Sequence, residues 1–269
     1  MNSIIEPLSG NLVHDSDDLK VLFETLDTTI INTIKPNSDK QKKSVQGSLN
    51  KLHGDWYEWI LATCAWNHRI SKKSKYLALL LPDKSRLDVT SLYEPKLFSY
   101  LNDLKDKISK ESGVNLITSN PDFVIIDPAN IKLPDYFNQP ITEYSKENFS
   151  MLEAAYKHFI NKCDLNSIVG YLAVKTSFRP DRILQIPHEG SLMKAMYIHL
   201  QTRDWVINPK GLKYYAAAMK MGAANRSALN TVATHSITTV LSKPEKAVDH
   251  AFELINILDA QAAFDEILN

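Results

Sequence analysis

The stretch Ile168–Val174 (IVGYLAV) is apolar almost without a break, and Lys175 ends it. A run of that length and pattern suits a strand buried on both faces better than the alternating pattern of a half-exposed one. A chain built around such a strand has to cover both of its sides with other elements. Lys175 adds a second constraint. At the edge of a buried strand an ammonium loses hydration, so either it reaches solvent along its stem or a carboxylate or phosphate meets it.

Other runs fill in the layers. Tyr76–Leu81, Arg86–Tyr93, Val114–Thr118, Phe123–Ile126, Trp205–Ile207 and Tyr214–Ala218 read as further strands, and Thr231–Val240 is ambiguous. Helical spacing predicts a helix from Leu19 to Ile34, capped at Ser16, Asp17 and Asp18 and ended by Pro36. It predicts a second after Gly54 with Asp55 as cap, a third from Pro95 to Lys110, and others after Ser145, Glu189, Pro244 and Asp259. Asn37–Lys43 and Asp127–Tyr144 read as loops. Strands and helices alternate, so the predicted class is α/β, a mixed sheet flanked by helices with a mainly helical N-terminal part. At 269 residues and 44% hydrophobic content, the chain can bury a large core as one domain or two closely joined ones.

Composition narrows the function. The formal net charge is zero, which counts against a non-specific nucleic-acid coat, so any DNA reading has to rest on particular residues. Cys64 and Cys163 are too few for a disulfide framework or a zinc site and read as core thiols. No apolar run is long enough to span a bilayer, and the N-terminus (MNSIIEPLSG) lacks the regions of a signal peptide. A cytoplasmic protein with no membrane partner is expected.

The titratable residues suggest a chemistry. Asp122 is left at the start of the Phe123–Ile126 strand, where it needs a backbone donor, a cation or a metal. A single helix separates that strand from Ile168–Val174, a connection that commonly leaves strands as neighbours, so Asp122 and Lys175 are expected together. Glu189 follows, either as an acid favoured near a helix N-terminus or as a metal ligand. Glu58 lies off the stripe of Trp56, Trp59 and Ile60 and becomes functional only if other carboxylates converge on it. Carboxylate oxygens and water are the ligand set of Mg²⁺, and a nearby lysine can orient a nucleophilic water or steady a phosphoryl oxygen. That is the equipment of metal-dependent phosphodiester hydrolysis.

Arg179, Asp181 and Arg182, around Pro180, form either a surface ion-pair cluster or a set of base readers. Arginine donates two parallel hydrogen bonds to guanine, and aspartate accepts from cytosine N4 in the major groove. Two other classes of function compete with a nuclease. A DNA-binding regulator using the same arginines would bind without cutting, and a Mg²⁺ phosphohydrolase for small substrates would leave those arginines without a base to read.

In this order, GSLNKLHGDWYEW, NLITSNPDFVIID, AVKTSFRPDR, LQIPHEGSLMKAMYIHLQTR and WVINPKGLKYYAAA resemble the Type II restriction endonucleases of the CCGG-cutting group, most closely those recognising RCCGGY. The resemblance runs from Gly47 to the C-terminus. It implies the PD-(D/E)XK nuclease fold, with residues 1–46 as an N-terminal helical segment and 47–269 as the endonuclease domain. It places the proline-aspartate pair on Pro121-Asp122, the lysine on Lys175, the displaced metal-binding glutamate on Glu189 and an additional acid on Glu58. Arg179, Arg182 and Asp181 fall on the CCGG-reading positions. One position departs from the general pattern: the acid expected two residues before the lysine is Ala173, so Glu189 has to supply that ligand. The resemblance further implies Mg²⁺ as cofactor and double-stranded cleavage at R/CCGGY, leaving 5′-phosphates and four-base 5′ overhangs. Its other implications are a bacterial restriction-modification system with a cognate DNA methyltransferase, and dimers paired into a Type IIF homotetramer. His199–Pro209 matches the contact between dimers, which makes Arg203 and Trp205 interface candidates, although an aromatic before Val206-Ile207 can equally be core.

Overall fold

The computed structural model describes residues 8–34, 39–178, 183–238 and 243–269. In chain order the elements are β1 (Gly10–Asn11), α1 (Leu19–Ile34), α2 (Asp39–Lys72), β2 (Leu77–Leu80), α3 (Pro95–Ser112), β3 (Phe123–Ile126) and β4 (Glu143–Tyr144). They continue as α4 (Lys146–Ala154), β5 (Ile168–Lys175), α5 (Gln185–Arg203), β6 (Lys213–Ala218), α6 (Ala223–Leu229), β7 (His250–Glu253) and α7 (Ile257–Ile267).

The apolar run does become the central strand. The main sheet has the order β2-β3-β5-β6-β7, with β5 in the middle. Its β2/β3 and β3/β5 pairs are antiparallel, and its β5/β6 and β6/β7 pairs are parallel. The fold is thus α/β with a mixed sheet flanked by helices. α2 packs on β2, α4 and α7, and α5 packs on β6 and α3. Trp56, Tyr57, Ile60 and Leu61 of α2 are fully buried, as are Phe123, Val124 and Ile126 of β3. Among the described residues no helix is long and apolar enough to cross a membrane.

Several expectations fail for identifiable reasons. Residues 39–43 of the predicted loop Asn37–Lys43, whose first two residues lie outside the described ones, and the predicted helix start at Asp55 give way to α2, which begins at Asp39 and passes through Gly47 and Gly54. Each glycine costs about 1 kcal/mol in a helix interior. Packing outweighs that cost: Leu49 is buried, His53 stacks on Phe23 of α1 at 5.2 Å, and His53 Nε2 meets Asp27 Oδ1 at 2.8 Å. The boundary between residues 46 and 47 therefore falls inside one continuous helix. Asp18 is the residue that caps α1, accepting from the backbone N–H groups of Lys20 and Val21.

Arg86–Tyr93 is not a strand. Asp88 caps a 3₁₀ turn, Val89–Leu92, by accepting from Thr90 N at 3.0 Å. Val114–Thr118 is not a strand either; it follows Gly113, which ends α3 with φ +67°, and Ile117 stands exposed. Trp205–Ile207 is a turn after α5, with Trp205 at φ +54°. The segment after Pro244 supplies β7 in place of a helix, because β6 offers a free parallel edge for it. Thr234–Ile237 forms a 3₁₀ turn, and Asp127–Tyr144 contains another at Asp135–Asn138 as well as β4. Asn256 opens α7 through a capping box with Asp259, so Asp259 sits inside the helix and does not precede it.

Candidate active site

The site is built where β3 begins and β5 ends. Leu81 N donates to Asp122 O at 2.9 Å, which extends the β2/β3 ladder by one residue. Phe123 pairs with Leu172, so one step back Asp122 lies beside the end of β5. Its Oδ2 accepts from Val174 N at 2.5 Å and from Lys175 Nζ at 2.9 Å, and its Oδ1 from the same ammonium at 3.2 Å. The lysine at the end of the apolar run is thus met by a carboxylate and does not simply reach for water.

One further acid on α2 feels the same charges, and a second lies beside it. Glu58 projects from α2, and its carboxyl is pushed up to about 8, first by burial and then by Asp122, with Lys175 pulling the other way. Asp55, one turn earlier, is also pushed up, by burial against the pull of Lys51, with Glu153 and Asp83 adding. Burial alone would lower Lys175, but Asp122 first, then Glu58 and Glu189, hold its ammonium above the ordinary lysine range. One ammonium thus lies in the field of three carboxyl groups.

Glu189 lies within α5, which starts at Gln185, four residues before it, and not after it as the sequence indicated; Pro187 fits the first turn. Glu189 Oε1 accepts from Gln185 Nε2 at 2.8 Å, and Oε2 accepts from the Tyr214 hydroxyl of β6 at 3.1 Å. Burial, then Glu189 and Asp122, keep that hydroxyl firmly protonated. Among the described residues the acids do not stand as a ready-made cage of three or more ligands. Asp122 is turned to Lys175 and Val174, and Glu189 to Tyr214 and Gln185.

Close approach of α5 to β6 needs Gly190. A Cβ there would stand 2.3 Å from Ala247 O and 2.9 Å from Tyr214 Cδ1. Gly190→Ala is expected to cost about 1–3 kcal/mol or more, because backbone on the far side cannot step aside. A melting temperature equal to that of the unaltered chain would contradict this packing.

Arg179, Asp181 and Arg182 lie outside the described residues. Arg203 stacks on Tyr100 with its guanidinium 4.7 Å from the ring centroid and meets Asp103 Oδ2 at 3.4 Å. Trp205 is 87% exposed and Ile207 89%, which removes the alternative that Trp205 is core. Tyr214 and Gly190 were missed from the sequence. A tyrosine in YYAAA and a glycine after a glutamate look ordinary until the helix and strand are placed side by side.

The mixed sheet, with an aspartate and a lysine joined where β3 begins and β5 ends and with Glu58 and Glu189 in the field of that lysine, fits the restriction-endonuclease class of nucleases. Comparison with known proteins agrees. The family described as Cfr10I/Bse634I restriction endonuclease matches residues 4–269, so it extends well ahead of Gly47, where the sequence resemblance began. The Type II restriction enzyme Cfr10I of Citrobacter freundii is 44% identical over 232 residues, covering 84% of this chain and 80% of that protein. A crystal structure of the Type IIF restriction endonuclease Bse634I with cognate DNA superposes with a TM-score of 0.88 at 30% identity, over 100% of this chain and 91% of that one. A second structure of Bse634I restriction endonuclease gives the same values. The chain belongs to the Cfr10I/Bse634I restriction endonuclease family and is a Type II restriction enzyme, a site-specific deoxyribonuclease.

Proposed function

We propose that this enzyme cuts both strands of DNA at a palindromic site with a CCGG centre, R/CCGGY, leaving 5′-phosphates and four-base 5′ overhangs. The observation that carries the chemistry is the Lys175–Asp122 pair at 2.9 Å, with Glu58 and Glu189 acting on the same ammonium.

The donor set fits a hard divalent ion such as Mg²⁺: oxygen ligands only, more acids than bases, and a Glu58 carboxyl held up to about 8 until positive charge arrives. Asp122 and Glu189 would hold the ion, with Glu58 assisting through a second ion or a hydrogen bond. When bound, it supplies Lewis-acid stabilisation of the phosphoryl oxygens and a more acidic water. Lys175 donates from the end of β5 to the attacking water or to a phosphoryl oxygen and so fixes the line of attack on phosphorus. Asp122, anchored on Val174 N, keeps that ammonium from swinging away.

Arg179 and Arg182 donate to guanine O6 and N7, and Asp181 accepts from cytosine N4. The family relative solved with cognate DNA supports duplex DNA as the substrate here. A palindromic target calls for a two-fold protein, one reader for each half-site. We further propose that dimers pair through Arg203 and the exposed Trp205 into a homotetramer. Sedimentation of Trp205→Ala should show dimers, and an unchanged assembly would rule that interface out. The enzyme works in the bacterial cytoplasm beside a cognate methyltransferase that protects the host's own sites.

The test mixes the protein with a plasmid bearing RCCGGY sites, in Mg²⁺ and in EDTA, and sequences the ends. Cleavage in Mg²⁺ between R and C, absent in EDTA, is the expected result. Specific binding in EDTA with no cleavage in Mg²⁺ would leave a DNA-binding protein in its place.

A further inference from the structure

Glu189 reaches its place from a helix, through three side-chain torsions, whereas Asp122 reaches its own from the rim of a strand through two. A longer side chain needs outside contacts to stay in one rotamer, and metal-ligating groups are commonly held by such hydrogen bonds. The surroundings of Glu189 supply them in layers. The fully buried Tyr214 gives its hydroxyl to Glu189 Oε2 at 3.1 Å. The backbone N–H of the same tyrosine donates to Asp249 Oδ2 at 2.8 Å, and Lys194 Nζ stands 2.7 Å from that oxygen. Lys194 is only 2% exposed, lies five residues beyond Glu189 on α5, and donates also to Lys246 O at 2.6 Å. Gly190 leaves no side chain between α5 and the Tyr214 ring. Burying an ammonium with a carboxylate costs desolvation that an apolar pair of similar size would avoid. Nothing about holding a helix on a sheet requires it. What the pair adds is direction: it ties α5 to the residue whose hydroxyl holds the acid.

We propose that Tyr214 is a positioning residue for Glu189, fixing the carboxylate toward the cation, and that the Lys194–Asp249 pair sets the spacing of α5 and β6 on which this contact depends. The inference rests on the reading of Glu189 as a cation ligand.

The test is Mn²⁺ binding to the full chain, followed by the paramagnetic resonance of the free ion, beside cleavage rates over a range of Mg²⁺ concentrations. Tyr214→Phe keeps the ring and removes only the hydroxyl. It should weaken Mn²⁺ binding about 10-fold and raise the half-saturating Mg²⁺ concentration by a similar factor, with a smaller change in the saturated rate. In a Glu189→Gln background, Tyr214→Phe should change Mn²⁺ binding no further, because the two groups act as one unit. Lys194→Met, which leaves both groups in place, should weaken Mn²⁺ binding in the same direction and keeps the test open if Tyr214→Phe fails to fold. Weak binding by Glu189→Gln together with wild-type binding by Tyr214→Phe and Lys194→Met would overturn the positioning role and leave Glu189 a ligand. Wild-type binding by Glu189→Gln itself would overturn the ligand reading, and this inference with it.

Discussion

Asp122→Asn is expected to leave a plasmid bearing the target site uncut under conditions in which the wild-type enzyme linearises it. The substitution keeps the size of the side chain and removes its charge. Asp122 holds Lys175 Nζ at 2.9 Å, and in the proposed mechanism it is also a principal acid of the cation site. If the cation's stabilisation of the phosphoryl oxygens is worth several kcal/mol, its loss slows cleavage roughly a thousandfold. Affinity for DNA should move the other way. Without a cation, Asp122 opposes the phosphates, and removing a like charge strengthens binding in EDTA, most visibly at low salt. Filter binding and single-turnover cleavage together check both halves. Cleavage within a few fold of wild type would dismiss Asp122 as a catalytic acid.

Glu58→Gln should divide stability from activity. In the folded chain the Glu58 carboxyl is pushed up to about 8, by burial first and by Asp122 second, from an ordinary value of 4.5. A group raised on folding contributes its full stability below the unfolded value and loses it as pH climbs through the folded one. Below pH 4.5 both states hold the proton and Glu58 costs nothing. Between 4.5 and about 8 the unfolded chain releases a proton that the folded chain keeps, so the fold weakens steadily; above about 8 the loss is complete. Glutamine has no proton to lose. In EDTA the variant should match wild type at acid pH and exceed it at pH 9 by an amount on the order of 5 kcal/mol. Urea unfolding at a series of pH values measures the difference, and parallel profiles for the two proteins would refute it. Mg²⁺ should raise the stability of wild type at pH 9 more than that of the variant, and the variant should cut poorly.

The parts of this molecule that could be read from sequence are those that local pattern or chain adjacency determines. β5 announces itself because a strand covered on both faces needs apolar residues at every position. The partnership of Asp122 with Lys175 follows because strands joined through one helix usually lie side by side. The long α2 was obscured by Gly47 and Gly54, which lower helix propensity while contacts with α1 restore the helix from a distance. Alternation in Arg86–Tyr93 suggested a strand, but Asp88 offered the backbone a cap and a 3₁₀ turn won. The hold of Tyr214 on Glu189 joins a strand to a helix on which neither sequence pattern depends. Trp205 misled in its local structure, since a positive φ in a tryptophan leaves no trace in residue order.

The continuity of α2 bears on how relatives of this enzyme can be recombined. Its middle turns are the floor on which α1 rests, through the Phe23–His53 stack, and the next turn carries Glu58. A chimera joined at residue 46 would splice two unrelated registers within one rod and rotate the acid about the axis by whatever mismatch the junction introduced. Grafts made ahead of Asp39 would carry the whole rod intact, so an exchangeable module cut from this chain starts earlier than the region of strongest likeness suggests.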